Sequence, residues 1–262
     1  MSAAPLLSDN FESYATGDLN GNGGWTANAA VDVVAGGLDY ANGDITINGG
    51  DQRVFSNALS PNAQTALASN SFASQDGEVW FSFTLQADNS SNTPRYWFYV
   101  GEDAALASGS SGVKGSIADN NTGDDGIRAE FRRNTNAQSS SDAAFTSNEV
   151  LFVVGRLSKD GVGPSAADAY DLFEFWLNPS STTLGAPTRS IEPNTASTFT
   201  DGIDTFGLTT LSAATDLSWD NLLIGTSQAD VVDVYTTPIP EPASLALVGL
   251  GLLAIGGRRR RA

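Results

Sequence analysis

Short runs in which apolar and polar residues alternate, separated by loops of Gly, Ser, Asn and Asp, recur along most of the chain. Seven of them predict strands: Glu78 to Ala87, Arg95 to Gly101, Gly126 to Arg132, Glu149 to Ser158, Tyr170 to Asn178, Asp204 to Leu211 and Leu217 to Gly225. Side chains alternate along a strand, so Val79, Phe81, Phe83 and Leu85 face one way and Trp80, Ser82 and Thr84 the other. That gives one core face and one mixed face. The run from Asp171 to Leu177 likewise sets Leu172, Glu174 and Trp176 against Phe173, Phe175 and Leu177. Rings repeated in this way suit two large sheets whose inner faces meet about 10 Å apart. A helical period is confined to the C-terminal tail and Asn62 to Ala68. The pattern predicts an all-β fold: a jelly-roll β-sandwich over residues 1–235, a stiff Pro-rich spacer over 236–240, and a tail over 240–262 with a short hydrophobic helix.

The tail reads Pro240-Glu241-Pro242, then an uncharged stretch from Ala243 to Gly257 rich in Leu, Ala and Gly, then Arg258, Arg259, Arg260 and Arg261. About fifteen helical residues extend only ~22 Å, short of the roughly 30 Å hydrocarbon core. Such a segment spans only by thinning the bilayer or by letting its arginines snorkel. The arginine cluster holds the C-terminus on the cytoplasmic side, and everything before Pro238 is then expected outside the inner membrane.

Pro-Glu-Pro, a short apolar helix and a terminal arginine cluster together closely resemble the PEP-CTERM sorting signal of Gram-negative bacteria that make extracellular polysaccharide. The resemblance implies a partner, an exosortase-type membrane enzyme that recognises Pro240, Glu241 and Pro242 and removes the helix, much as a GPI tail is removed. It implies a protein held transiently in the inner membrane and then displayed on the cell surface or in the extracellular matrix. The alternative reading of the tail is an ordinary C-terminal anchor. A chain with this tail is expected to carry a signal peptide, yet Met1 runs through Ser2-Ala3-Ala4-Pro5 into Asp9; the leader is expected upstream of Met1 or already trimmed.

Composition agrees with an exported chain. The 262 residues include no Cys and no His, which excludes disulfides, Cys-based metal or redox sites and the usual Ser-His and Cys-His nucleophile pairs. The formal charge is -17; setting aside Glu241 and the four terminal arginines leaves 9 basic against 29 acidic residues, about -20. Nucleic acid and anionic lipid surfaces are poor partners for such a domain.

The opening Asp9-Asn10-Phe11-Glu12-Ser13-Tyr14 with Gly23-Gly24-Trp25, the strand Gly77 to Phe83, the pair Val153 to Leu157 and Phe175 to Pro179, and the closing Trp219 to Thr226 resemble concanavalin A-like, laminin G-like jelly rolls. The likeness is one of strand pattern and covers most of Asp9 to Asp233. Lectins, adhesion modules, glucanases and alginate lyases share that fold, so activity has to come from a site. Retaining glucanases of this superfamily carry Glu-x-Asp-x-x-Glu on one strand, which puts carboxylates about 5 Å apart over a cleft. No such run occurs here.

Three candidate sites remain. Asp119, Asn121, Asp124, Asp125 and Glu130 supply oxygen ligands in a spacing similar to a calcium loop, with Asp124 where the turn glycine belongs. A polar hairpin loop is the competing reading. Trp97 and Tyr99 share a strand face and offer a stacking platform for a glycan if exposed. Asp216, Asp220 and Asn221 flank Trp219 and combine carboxylate, amide and ring as sugar sites do; Trp219 alternates with Leu217 and reads equally as core. The turn Asn20-Gly21-Asn22-Gly23-Gly24 reads mainly as positive-φ geometry. The expected function is a non-catalytic surface or matrix protein that binds extracellular polysaccharide or neighbouring surface proteins, with Ca²⁺ as a candidate cofactor. The alternatives are a polysaccharide-degrading enzyme on the same fold and a purely structural coat component.

Overall fold

The computed structural model describes residues 4–27, 31–57, 66–87, 95–101, 113–119, 126–133, 136–139, 143–159, 170–192, 202–210 and 216–235. Two antiparallel sheets dominate. From edge to edge the first sheet holds β17 (Arg189–Ile191), β16 (Leu172–Leu177), β15 (Val150–Ser158), β9 (Val79–Ala87), β19 (Asp216–Gly225), β7 (Gln52–Asn57), β4 (Val31–Ala35) and β2 (Gly17–Asp18), with β1 (Leu7–Asp9) paired to β19. The second holds β13 (Asn136–Ser139), β12 (Gly126–Arg133), β11 (Val113–Asp119), β10 (Arg95–Gly101), β18 (Ile203–Thr210), β8 (Ala66–Gln75) and β3 (Thr26–Ala27), with β14 (Ala143–Ala144) beside β12. Spatial neighbours such as β9 with β19 and β10 with β18 are distant in sequence, so the chain crosses repeatedly between layers. This is the jelly-roll β-sandwich that the alternation predicts.

The core forms where the two inner faces meet. Val79, Phe81, Phe83 and Leu85 of β9 all enter it, as the period of two requires. Phe81 lies 4.4 Å from Phe98 of β10, and Phe98 lies 4.4 Å from Phe206 of β18, so the ring stack bridges the sheets. Room for Phe81 comes from its cross-strand partner Gly155, where an added Cβ would sit 1.9 Å from the ring.

The other face of β9 is buried as well, which alternation alone does not foretell. Trp80, Phe152, Val154, Trp176 and Leu223 form a second apolar cluster on the outside of the first sheet. Tyr40, Ile45 and Ile47 of the hairpin β5 (Tyr40–Asn42) and β6 (Ile45–Ile47) cover it from one side. Val231 and Val232, from the helix α1 (Gln228–Val231) and its C-cap, cover it from the other. The Asp230 carboxylate accepts the backbone N–H of Thr226 and Ser227, which fixes the start of α1. Ser82 then donates to the Val231 carbonyl at 2.7 Å, and the Tyr235 ring packs edge-on against Phe152 at 5.4 Å. Residues 228–235 therefore act as a latch across three strands.

The seven expected strands are all present. Of the twelve other described strands, which the sequence pattern missed, β7, β8 and β11 are rich in small or polar residues, and the rest are five residues or shorter. The helical period over Asn62 to Ala68 is overturned in its described part, because Ala66 to Ala68 open β8 and pair with β18. Cross-strand pairing there outweighs the helix preference of alanine. The tail's expected helix lies outside the described residues; among those residues no helix is long and apolar enough to cross a membrane.

Candidate functional site

The expected calcium loop falls largely outside the described residues, which omit Asn121, Asp124 and Asp125. Asp119 ends β11 and pairs with Ile127, and Glu130 pairs with Ser116, so residues 120–125 join two antiparallel strands. The side chains of Asp119 and Glu130 are likewise outside the description. Among the described residues no three acidic side chains converge as a metal site requires.

The expected aromatic platform does not form as drawn. The side chain of Trp97 lies outside the described residues, and Tyr99 is only 1% exposed. Its ring lies over Gly207 of the neighbouring strand, within 2.0 Å of where a Cβ would stand, and burial pushes its hydroxyl up to about 12. Tyr99 is thus a covered ring that no sugar reaches.

The group around Trp219 is also corrected. Trp219 joins the core at 1% exposure and Asp220 is wholly buried, while Asp216 stands exposed at the start of β19. Asp220 accepts backbone N–H groups from Leu38 at 3.0 Å and from Asn221 at 2.7 Å. Burial pushes its carboxyl up to about 7; those two N–H groups act against the rise, Glu12 adds to it and Arg53 opposes it. It is a structural carboxyl, not a sugar ligand.

Asn221 alone of that group reaches an open site. The pairing of β19 with β9 shifts register between Asp220 and Leu223, and Asn221 takes the left-handed conformation at φ 52. Asparagine tolerates this better than most residues because its short side chain satisfies local polar groups. The bulge brings Asn221 to the wall of a cavity of about 460 Å³. Opposite stand Ser8, Asp9, Asn10, Ser13 and Tyr14 from β1 and the turn after it; Val234 and Tyr235 of the latch close the third side.

The carboxylate of Asp9 organises this cavity. One oxygen accepts the Phe11 N–H at 2.8 Å; the other accepts the Tyr14 hydroxyl at 2.6 Å and the Trp25 indole N–H at 2.7 Å. The glycine turn supports the arrangement by geometry, since an added Cβ at Gly23 (φ 51) would collide with the Tyr14 hydroxyl at 1.7 Å. Burial and the adjoining Asp9 carboxylate raise the Tyr14 hydroxyl well above its ordinary value, so it remains a neutral donor. Tyr235 donates to the Asn221 carbonyl at 2.9 Å. Sequence reasoning missed Asp9, Tyr14 and Tyr235 as site residues. The motif Asp9 to Tyr14 was visible, but only the long-range pairing of Asp9 with Leu222 brings it to Asn221.

No curated protein matches the chain in sequence. Among solved structures, the chain is similar to the cellulose induced protein Cip1, at 14% identity and a TM-score of 0.50, covering 84% of this chain and 97% of that one. It is also similar to the T. cruzi calreticulin globular domain, at 10% identity and a TM-score of 0.49, covering 84% and 90%. Residues 238–261 match the PEP-CTERM protein-sorting motif. The chain therefore carries a PEP-CTERM protein-sorting motif behind a jelly-roll β-sandwich, the mark of an exported protein handled by exosortase-type sorting.

Proposed function

We propose that this is a non-catalytic cell-surface or extracellular-matrix protein whose jelly roll binds glycan or neighbouring surface proteins, after an exosortase-type enzyme has processed the tail at Pro240-Glu241-Pro242. The sorting motif at 238–261 carries the reading. Its position gives further support, because the last described element ends at Tyr235 and leaves a short Pro-containing spacer before the motif's own Pro240. The apolar stretch from Ala243 to Gly257 and Arg258 to Arg261 hold the precursor in the inner membrane until that step. The polar cavity beside Asn221 offers the sandwich a place to engage a ligand, and the excess of acidic residues suits an exposed, hydrated surface.

The test is a glycan array probed with the protein, with and without Ca²⁺, beside a reducing-sugar release assay on every glycan that scores. Binding without release is the expected result, and a calcium requirement would add the loop around Asp119 to the site. Release of reducing ends overturns the non-catalytic reading in favour of a polysaccharide-degrading enzyme. Silence in both assays, with no neighbouring surface protein recovered by cross-linking on cells, leaves a structural coat component instead.

A further inference from the structure

We propose that the hairpin β5–β6 is a lid over the outer aromatic face of the first sheet, hinged on glycine pairs at its two roots and kept shut by the buried carboxyl of Asp220. This inference is independent of the glycan-binding reading. Among the described residues β5 and β6 pair only with each other, so no ladder fastens them to either large sheet. A two-stranded hairpin is marginal by itself, and its position depends on what it touches. Its buried side chains Tyr40, Ile45 and Ile47 cover Trp80, Phe152 and Trp176, while Ala41 and Thr46 stand exposed on its back. Opening the lid bares those rings.

The roots are built to swing. Gly36 and Gly37 lead into the hairpin, and Gly49 and Gly50 lead out of it. Gly36 and Gly50 take the left-handed region, at φ 85 and 66, and a Cβ on Gly37 would fall 1.7 Å from the Gly49 carbonyl oxygen. Hinges are short segments of this kind, where a few residues absorb the backbone change. At the tip, the Asp44 N–H donates to the Ser180 carbonyl at 3.0 Å and the Asn42 amide to the Asn178 carbonyl at 2.9 Å. Those two bonds are between neutral groups, so pH leaves them unchanged.

Charged side chains hold the roots. Asp220 accepts the Leu38 N–H at 3.0 Å, the Arg53 guanidinium donates to the Ala35 carbonyl at 2.9 Å and to the Gly36 carbonyl, and the Glu12 carboxylate accepts the Asp51 and Gln52 N–H groups at 2.9 and 2.8 Å. Of the three, only Asp220 is wholly buried. The charged and titratable groups that face it are Glu12 from the turn after β1, Arg53 of β7 and the Tyr235 hydroxyl of the latch. Burial first, and Glu12 after it, push the Asp220 carboxyl up to about 7 from 3.8, against the Leu38 and Asn221 N–H groups and Arg53. The closed lid therefore keeps the proton, and an ionised Asp220 regains water when the segment at Leu38 lifts. Closure is firmest below about pH 4, weakens as pH rises to about 7, and levels off once the carboxyl ionises with the lid shut.

The experiment is hydrogen–deuterium exchange of the full chain in detergent at a series of pH values from 5 to 8, corrected for the intrinsic exchange rate. Opening of residues 38–48 is expected to be at least tenfold more frequent at pH 8 than at pH 5, while β9 and β15 stay protected. Asp220→Asn keeps an oxygen for the Leu38 N–H but cannot ionise, and is expected to abolish the pH dependence. Glu12→Gln keeps an oxygen for the Asp51 and Gln52 N–H groups and removes a negative charge near Asp220; its rise is expected to level off at lower pH, a readout that serves if Asp220→Asn does not fold. Equal exchange across the series in the wild type, or the same rise in Asp220→Asn, overturns the proposal. A rise shared in step by β9 and β15 marks unfolding of the whole sandwich and overturns the lid. A plateau unmoved in Glu12→Gln overturns the part given to the Asp220 carboxyl.

Discussion

The Tyr235 hydroxyl donates to the backbone carbonyl of Asn221 across 2.9 Å, tying the last described turn before the sorting motif to the bulge of the central strand β19. Burial holds the Tyr235 hydroxyl well above its ordinary value, so the bond persists across the physiological range. Tyr235→Phe removes the donor and leaves the ring. The expected loss is about 1 kcal/mol of stability, read from the midpoint of a urea titration.

Phe81 meets Phe98, Phe83 and Phe173 at centroid distances of 4.4, 6.2 and 6.0 Å and is wholly buried. Phe81→Ala removes the ring that joins the two sheets and is expected to cost about 3–5 kcal/mol. Gly155→Ala attacks the same contact from the opposite strand by overpacking, for about 1–3 kcal/mol or more. Equilibrium denaturation of both variants checks the pair. An unchanged Gly155→Ala would mean that the two strands do not pair in the stated register.

Asp220 makes stability depend on pH. Its folded carboxyl, at about 7, lies above the ordinary value of 3.8, so the folded chain holds this proton more tightly than the unfolded one. The contribution is fully present below about pH 4 and is lost as pH rises through about 7. Each pH unit crossed within that window removes about 1.4 kcal/mol of it. Melting curves from pH 4 to 8 are expected to show this fall in the wild type and to show less of it in Asp220→Asn, with the difference between the two curves isolating the one group.

Glu241 lies between the two prolines of the sorting motif. Glu241→Ala is expected to leave the tail attached and the protein in the inner-membrane fraction of the producing cell. Mass measurement of the mature chain supplies the check, and normal processing of the variant would remove Pro240-Glu241-Pro242 as the recognition element.

Strand content was legible in the long runs of β-branched and aromatic residues, as in β9, β15 and β16, while the short β4 and β6 escaped although they alternate in the same way. Where the strands are built of Ala, Ser and Asn, as in β8, the alternation is too shallow to read, and only pairing with β18 gives them away. The sorting motif was legible because its recognition elements are contiguous. The candidate site was not, because its parts lie more than two hundred residues apart and meet through the pairing of Asp9 with Leu222. Tyr99 and Trp219 misled as sugar contacts because an aromatic residue in a strand looks the same whether its ring faces solvent, core or a neighbouring glycine. Trp80 was legible as facing away from the core, but nothing near it in sequence shows that the hairpin at Tyr40 and the latch at Val231 cover that face.

The latch also decides how the domain bears a mechanical load. While the precursor is tethered by its C-terminus, any pull on the tether enters the sandwich at Tyr235 and reaches β19 through residues 228–235. β19 is flanked by β9 and β7, so its ladders share tension on both sides. The latch is held by the apolar contact of Val231, Val232 and Tyr235 and by side-chain hydrogen bonds that include those donated by Ser82, Tyr235 and Gln228, the last to the Thr182 carbonyl. Under force it is expected to peel before β19, which is laddered on both sides, is pulled from the sheet, a fuse that spares the domain behind it.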